Sequence, residues 1–162
     1  MAEMSVIFVC LGNICRSPTA RGLFEAKAKA AGIRDKIRID SAGTSGYHVG
    51  DRPDPGAIRV CHQMGVDISE DRSRKVTPAD LQSFDYVIAM DNSNYRDMLR
   101  VDSQAVDRLY LMRQFEPGAK DMDVPDPWGG GIDGFERMCQ IIERSVEGLL
   151  EKMISDHPQP GG

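Results

Sequence analysis

SVIFVCLGNICRSP, residues Ser5 to Pro18, is the stretch whose reading decides the fold. Ser5 to Cys10 is a continuous run rich in β-branched residues, the pattern of a central parallel strand buried on both faces. The run breaks at Gly12 and Asn13, residue types that tolerate positive φ. Pro18 suits the first turn of a helix, where its missing N–H costs nothing. Pro18 to Ala31 is Ala-rich and helix-favouring, and Gly32 stops it. The segment therefore reads as strand, tight loop and helix. A junction of this kind aims several backbone N–H groups inward beside a helix N-terminus and makes a nest for an anion.

The same alternation continues outward. Ile37 to Asp40 reads as a second strand, Pro55 to Met64 as a helix ending at Gly65, and Tyr86 to Met90 as a third buried strand. Asp91 to Ser93 can cap a helix over Tyr95 to Leu99, with no catalytic role assigned to them. Arg108 to Met112 is a fourth strand. Asp133 to Ile154 carries a long helical pattern, with Phe135, Met138, Ile142, Val146, Leu149 and Met153 spaced by three or four. Strands alternating with helices predict a single-domain α/β fold over 1–154, a parallel twisted sheet with helices on both faces. The polar Pro- and Gly-containing tail, 155–162, is expected to fray. In such sheets ligands bind beyond the carboxyl ends of the strands, at a switch in strand order. Cys10 ends the first strand and 121–131 follows the fourth, so a site shared by the two is geometrically plausible.

The 162 residues fit one domain with a sizeable core; 41% hydrophobic and 28% charged residues are ordinary for a soluble globular protein. A net charge of −5 argues against nucleic acid or an anionic membrane as partner, and requires any attraction for a dianion to be local. Val6 to Leu11 is too short to span a bilayer, and no basic segment or signal-peptide pattern precedes it. Four cysteines without a secretion signal point to reduced thiols and a cytoplasmic protein, and none has the spacing of a zinc site. No metal or other cofactor is expected.

At the base of the loop, Cys10 would share the donors that hold an anion. Those donors favour the thiolate, the nucleophilic form, which is a few per cent of a free cysteine at neutral pH. Arg16 offers a planar fork that can hold two phosphoryl oxygens at once. Ser17 is placed to donate a hydrogen bond to the sulfur. A lone cysteine after a strand would be a small packing residue; Cys-x5-Arg-Ser at a strand–loop–helix junction points to a nucleophile. The nucleotide-binding patterns GxxxxGK[ST] and GxGxxG are absent, and Gly129 to Gly131 has neither spacing. For a general acid, Asp126 lies between Pro125 and Pro127, and the following proline holds it in an extended or turn conformation. Beside a phosphate dianion a carboxyl keeps its proton more readily. Asp121 and Asp123 lie close by and compete for the role, and the alternative reading of Asp126 is a turn residue.

VCLGNICRSPTA, IDSAGTSGYHVG, FDYVIAMDNSN and VPDPWGG together resemble the low-molecular-weight protein tyrosine phosphatases over nearly the whole chain. The resemblance implies a four-stranded parallel sheet with the phosphate-binding loop between strand 1 and helix 1. It implies hydrolysis of protein phosphotyrosine and small aryl phosphates through a cysteinyl-phosphate intermediate. Cys10 is then the nucleophile, Arg16 the phosphate clamp, and Asp126, decided by its DPW match, the general acid and base. Backbone groups of Leu11, Gly12, Asn13, Ile14, Cys15, Arg16 and Ser17 bind phosphate, Asn13 shapes the loop, and Ser41 supports Asn13. Tyr47 and Trp128 match aromatic wall positions for a phenyl ring. The partner implied is a phosphotyrosine-containing protein, with inorganic phosphate or other oxyanions as inhibitors. For Cys15, which shares the loop, the resemblance favours a reversible disulfide with Cys10 over simple packing.

Two positions depart from the family pattern. Gly129 stands where many relatives carry a second aromatic, which predicts a more open wall. Asp71 stands where many carry a histidine that supports the loop. Arg72 and Arg74 read as a solvated stretch, His48 as a rim residue, and Cys61 and Cys139 as packing residues on helices. Rival activities share the loop. Arsenate reductases need a further cysteine pair on a mobile segment, and 62–138 contains no cysteine. Phosphoarginine phosphatases carry threonine where this chain has Ile14, whose apolar bulk suits a phenyl ring better. A non-catalytic phosphopeptide-binding module would have no use for Cys10 or Asp126.

Overall fold

The computed structural model describes residues 3–157. Four parallel strands, β1 (Met4–Cys10), β2 (Ile37–Gly43), β3 (Tyr86–Ala89) and β4 (Leu109–Leu111), form one sheet in the order β2-β1-β3-β4. The helices are α1 (Arg16–Ala30), α2 (Pro55–Gln63), α3 (Pro78–Ser83), α4 (Asn92–Val101) and α5 (Ile132–Asp156). All residues of β1 are buried, as its two-sided apolar run requires. Its alternation separates two cores. Val6, Phe8 and Cys10 face a cluster built with Phe24 of α1 and Met138, Ile142 and Leu149 of α5. Ile7 and Val9 face a second cluster with Leu81, Phe84, Val87 and Met98.

From β1 the chain crosses to β2 on one side, then returns to β3 on the other. The switch therefore lies between β1 and β3, and the crevice opens at the carboxyl ends of Cys10 and Ala89.

The expected elements all form, with shifted ends. Helix α1 begins two residues earlier than expected, so Arg16 occupies its first turn, and β2 runs on through Ser41 to Gly43. Sequence reading missed α3, a six-residue helix begun by a capping box between Thr77 and Asp80 with Pro78 in its first turn. Helix α5 runs through residues 155 and 156, and Asp156 accepts a hydrogen bond from the Tyr86 hydroxyl at 2.7 Å. Residues 158–162 lie outside the described residues. Among the described residues no helix is long and apolar enough to cross a membrane.

Candidate active site

The loop after β1 is held from outside by its carbonyls. Cys10 O accepts from Thr44 N at 2.9 Å, Leu11 O from Ser45 N at 2.9 Å, and Gly12 O from Ser73 Oγ at 2.9 Å. Ile14 O accepts from Asp54 N at 2.8 Å and Cys15 O from Thr19 Oγ1 at 2.8 Å. A peptide is planar and trans, so each tied carbonyl turns the N–H of the next residue the opposite way. The N–H groups of Leu11, Gly12, Asn13, Cys15 and Arg16 are thereby aimed away from the scaffold. One of them is directly visible: Asn13 N donates to Cys10 Sγ at 3.3 Å.

Asn13 has φ 57°, the one positive value at a non-glycine among the described residues. Asparagine tolerates that conformation, and here its buried side chain also anchors it. Nδ2 donates to Ser17 Oγ at 2.7 Å and to Ser41 Oγ at 3.0 Å, and Oδ1 accepts from Arg74 N at 3.0 Å. Ser17 Oγ lies 3.1 Å from Cys10 Sγ and 3.4 Å from Ala42 O. Since it already accepts from Asn13, its single proton is shared between the Ala42 carbonyl and the nearer Cys10 sulfur. Asn13, Ser17 and Ser41 thus form a buried hydrogen-bonded layer beneath the nest.

Arg16 is 3% exposed, and Nη1 donates to Asp91 Oδ2 at 2.6 Å and to Val124 O at 3.0 Å. Burial alone would lower the guanidinium's pKa. Cys10, Asp91 and Asp126 outweigh it, so the group lies above the ordinary arginine value and stays charged. Nη2 lies 3.6 Å from Asp126 Oδ2. The other Asp126 oxygen accepts from Trp128 N at 3.1 Å, which closes a tight turn around Pro127. Its two competitors are engaged elsewhere. Asp123 Oδ1 accepts from Asn92 N at 2.8 Å and Asn92 Nδ2 at 2.9 Å, and Asp121 accepts from Asp123 N.

A cavity of about 380 Å³ opens over the loop. Cys10, Leu11, Gly12, Ile14, Cys15 and Arg16 line its floor, and Asp126, Tyr47 and Trp128 stand around it, joined by Ser45 and His48. Tyr47 and Trp128 are 84% and 62% exposed, as walls of a mouth would be. His48 packs edge-on against Tyr47, at 4.8 Å between centroids, and pairs with Asp51 at 3.1 Å. Gly129 has φ 79°, and a Cβ there would meet no atom within 4 Å, so the wall is open at that point.

Two sequence readings are corrected here. Asp91 does cap α4, with Oδ1 accepting from Asn94 N at 2.8 Å, but its other oxygen holds Arg16. Arg74 is no solvated charge: it pairs with Asp40 at 2.9 Å and Asp80 at 2.8 Å, while its backbone N–H braces Asn13. Asp71 does not brace the loop. It pairs with Arg21 of α1 at 2.7 Å, and the support at this edge comes from the next residues, Ser73 and Arg74. The placement of Asp91 directly after a buried strand at the switch point was the available signal for its second contact.

Burial, reinforced by Asp54 and Cys10, pushes the Cys15 thiol far above the usual range, so Cys15 keeps its proton. Burial likewise pushes Cys61 up to about 11 and Cys139 up to about 12.

A parallel sheet whose switch point is closed by an oxyanion nest, with a cysteine sulfur inside that nest, defines the class of cysteine-dependent phosphatases. A family model described as "Low molecular weight phosphotyrosine protein phosphatase" matches residues 5–159, and the chain belongs to that family. A putative low molecular weight protein-tyrosine-phosphatase of Synechocystis is 40% identical over 152 residues, covering 93% of this chain and 96% of the relative. The crystal structure of a protein tyrosine phosphatase from Entamoeba histolytica with Hepes in its active site is similar, with a TM-score of 0.90 and 38% identity. That match covers 94% of this chain and 98% of the other. The YwlE arginine phosphatase also matches, with a TM-score of 0.85, 26% identity and coverage of 95% and 98%.

Proposed function

We propose that this protein hydrolyses phosphotyrosine in proteins, and small aryl phosphates, by two displacements at one phosphorus. Cys10 attacks as thiolate, held by the Asn13 amide and the Ser17 hydroxyl, while Asp126 gives its proton to the departing phenolate oxygen. Asp126 then takes a proton from water, which attacks the cysteinyl phosphate and returns inorganic phosphate and Cys10. Arg16 and the loop amides follow the charge on the equatorial oxygens through both steps. Tyr47 and Trp128 guide a flat ring to the floor of the cavity. Inorganic phosphate and other oxyanions occupy the same nest and inhibit. The observation that carries this reading is the juxtaposition of Cys10 Sγ in an amide nest with Arg16 and Asp126 at one cavity.

Rapid mixing with p-nitrophenyl phosphate tests it. The wild type is expected to give a nitrophenolate burst and a phosphorylated cysteine, Cys10→Ser neither, and Asp126→Ala a slowed release. An active Cys10→Ser variant sinks the mechanism. The likeness to an arginine phosphatase keeps phosphoarginine as a second reading. Ile14, buried and lining the cavity, favours the aryl ester, and higher turnover of phosphoarginine than of phosphotyrosine by the same preparation reverses the order. A relay of oxidation through Cys61 and Cys139 is disfavoured by their burial and raised pKa values.

A further inference from the structure

We infer that Arg113 is a positioning residue for the general acid: it clamps the base of the loop that carries Asp126, and so sets the reach of that carboxyl to the leaving oxygen. The inference rests on the reading of Asp126 as acid. Arg113 follows β4 and does not line the cavity, and its side chain is 12% exposed. Nε donates to Glu116 Oε1 at 2.8 Å, and Nη1 donates to the backbone carbonyl of Asp123 at 2.8 Å. Glu116 is itself buried, 4% exposed, and its second oxygen is held by Arg144 at 2.7 Å. Arg113 Nε is therefore fixed against a buried carboxylate, while Nη1 is aimed at the peptide three residues before Asp126 and lies 4.0 Å from Asp121 Oδ2.

The other ties on that segment come from the opposite side. Asn92 holds the Asp123 carboxylate, Met90 O accepts from Val124 N at 2.8 Å, and Arg16 holds Val124 O. Among the described residues, Arg113 alone joins the segment to the β4 side. Beyond this pinned base the chain is short and stiff, because Pro125 and Pro127 restrict the backbone around Asp126. A shift at Asp123 is therefore passed on to the carboxyl instead of being absorbed. A misplacement of about 1 Å can cost about 10²-fold in rate.

A general acid matters most when the leaving group is poor, and this separates positioning from mere stability. kcat/KM, which reports the first displacement, is measured on phenyl phosphate and on p-nitrophenyl phosphate, whose phenolate leaves readily. Asp126→Asn is the reference and is expected to lose about 10²-fold more on phenyl phosphate than on the nitrophenyl ester. Arg113→Met is expected to lose about 10-fold more on phenyl phosphate. Arg113→Lys keeps a charge against Glu116 but not the fork, is expected to show the same bias to a smaller degree, and decides the matter if the Met variant does not fold. Equal losses on the two esters in the Arg113 variants, with Asp126→Asn still discriminating, overturn the inference and leave the acid in place. If Asp126→Asn itself does not discriminate, the acid assignment falls and the clamp falls with it.

Discussion

Asn13 joins backbone geometry to chemistry at a single residue. Its left-handed φ bends the loop, and its amide fixes Ser17, Ser41 and the Arg74 backbone at once. Asn13→Ala removes all three hydrogen bonds and puts a less tolerant residue at positive φ. The expected loss in urea unfolding is about 2–3 kcal/mol, since buried partners are left unsatisfied. Asn13→Gly relaxes the backbone and should recover part of that stability. It should not recover activity, because Ser17 still lacks its anchor; kcat/KM is expected about 10-fold down in both variants. Full activity in the glycine variant would show that the side chain only shapes the loop.

At the scale of elements, what could be read from sequence depended on how local the cause was. Strands β1, β3 and β4 announced themselves by apolar runs, and α1 by its alanines and the glycine beyond it. The nest was legible because strand, loop and helix start are contiguous in residues 5–18. The contacts that were missed join distant segments. Asp91 to Arg16 spans 75 positions, and the bracing of Asn13 uses the backbone of Arg74, which no side-chain pattern can announce. Helix α3 was overlooked although its cap is local, because six residues carry too little periodicity to stand out. The acid of its capping box, Asp80, also ties Arg74 down, and this gives the protein an acid-sensitive joint. Burial alone would raise the Asp80 carboxyl, but Arg74 and Thr77 outweigh it and hold it below its ordinary value. A carboxyl depressed in the folded state contributes stability that is complete above its unfolded pKa, about 3.9, and is lost as pH falls through the folded value. Urea midpoints should therefore drop below about pH 4, and Asp80→Asn should flatten that part of the profile while lowering the midpoint at neutral pH. An unchanged acid limb in the variant would remove Asp80 from the account.

Over the whole molecule, a chain of net charge −5 concentrates its affinity for anions in a few peptide groups. Those groups are oriented by carbonyls tied to residues 19, 44, 45, 54 and 73, so the nest exists only while all of these segments are in place. The unfolded chain has no counterpart to it. By mass action an oxyanion present at 100 times its Kd then stabilises the fold by about 2.7 kcal/mol, or roughly 5–10 °C in Tm for a chain of this size. Melting in phosphate should exceed melting in chloride at equal ionic strength, and Arg16→Ala should abolish most of the difference; an undiminished difference in that variant would place the anion elsewhere. Where that difference is found, buffer identity enters the heat stability of this protein as a ligand concentration, and a Tm measured in phosphate describes a complex instead of the free chain.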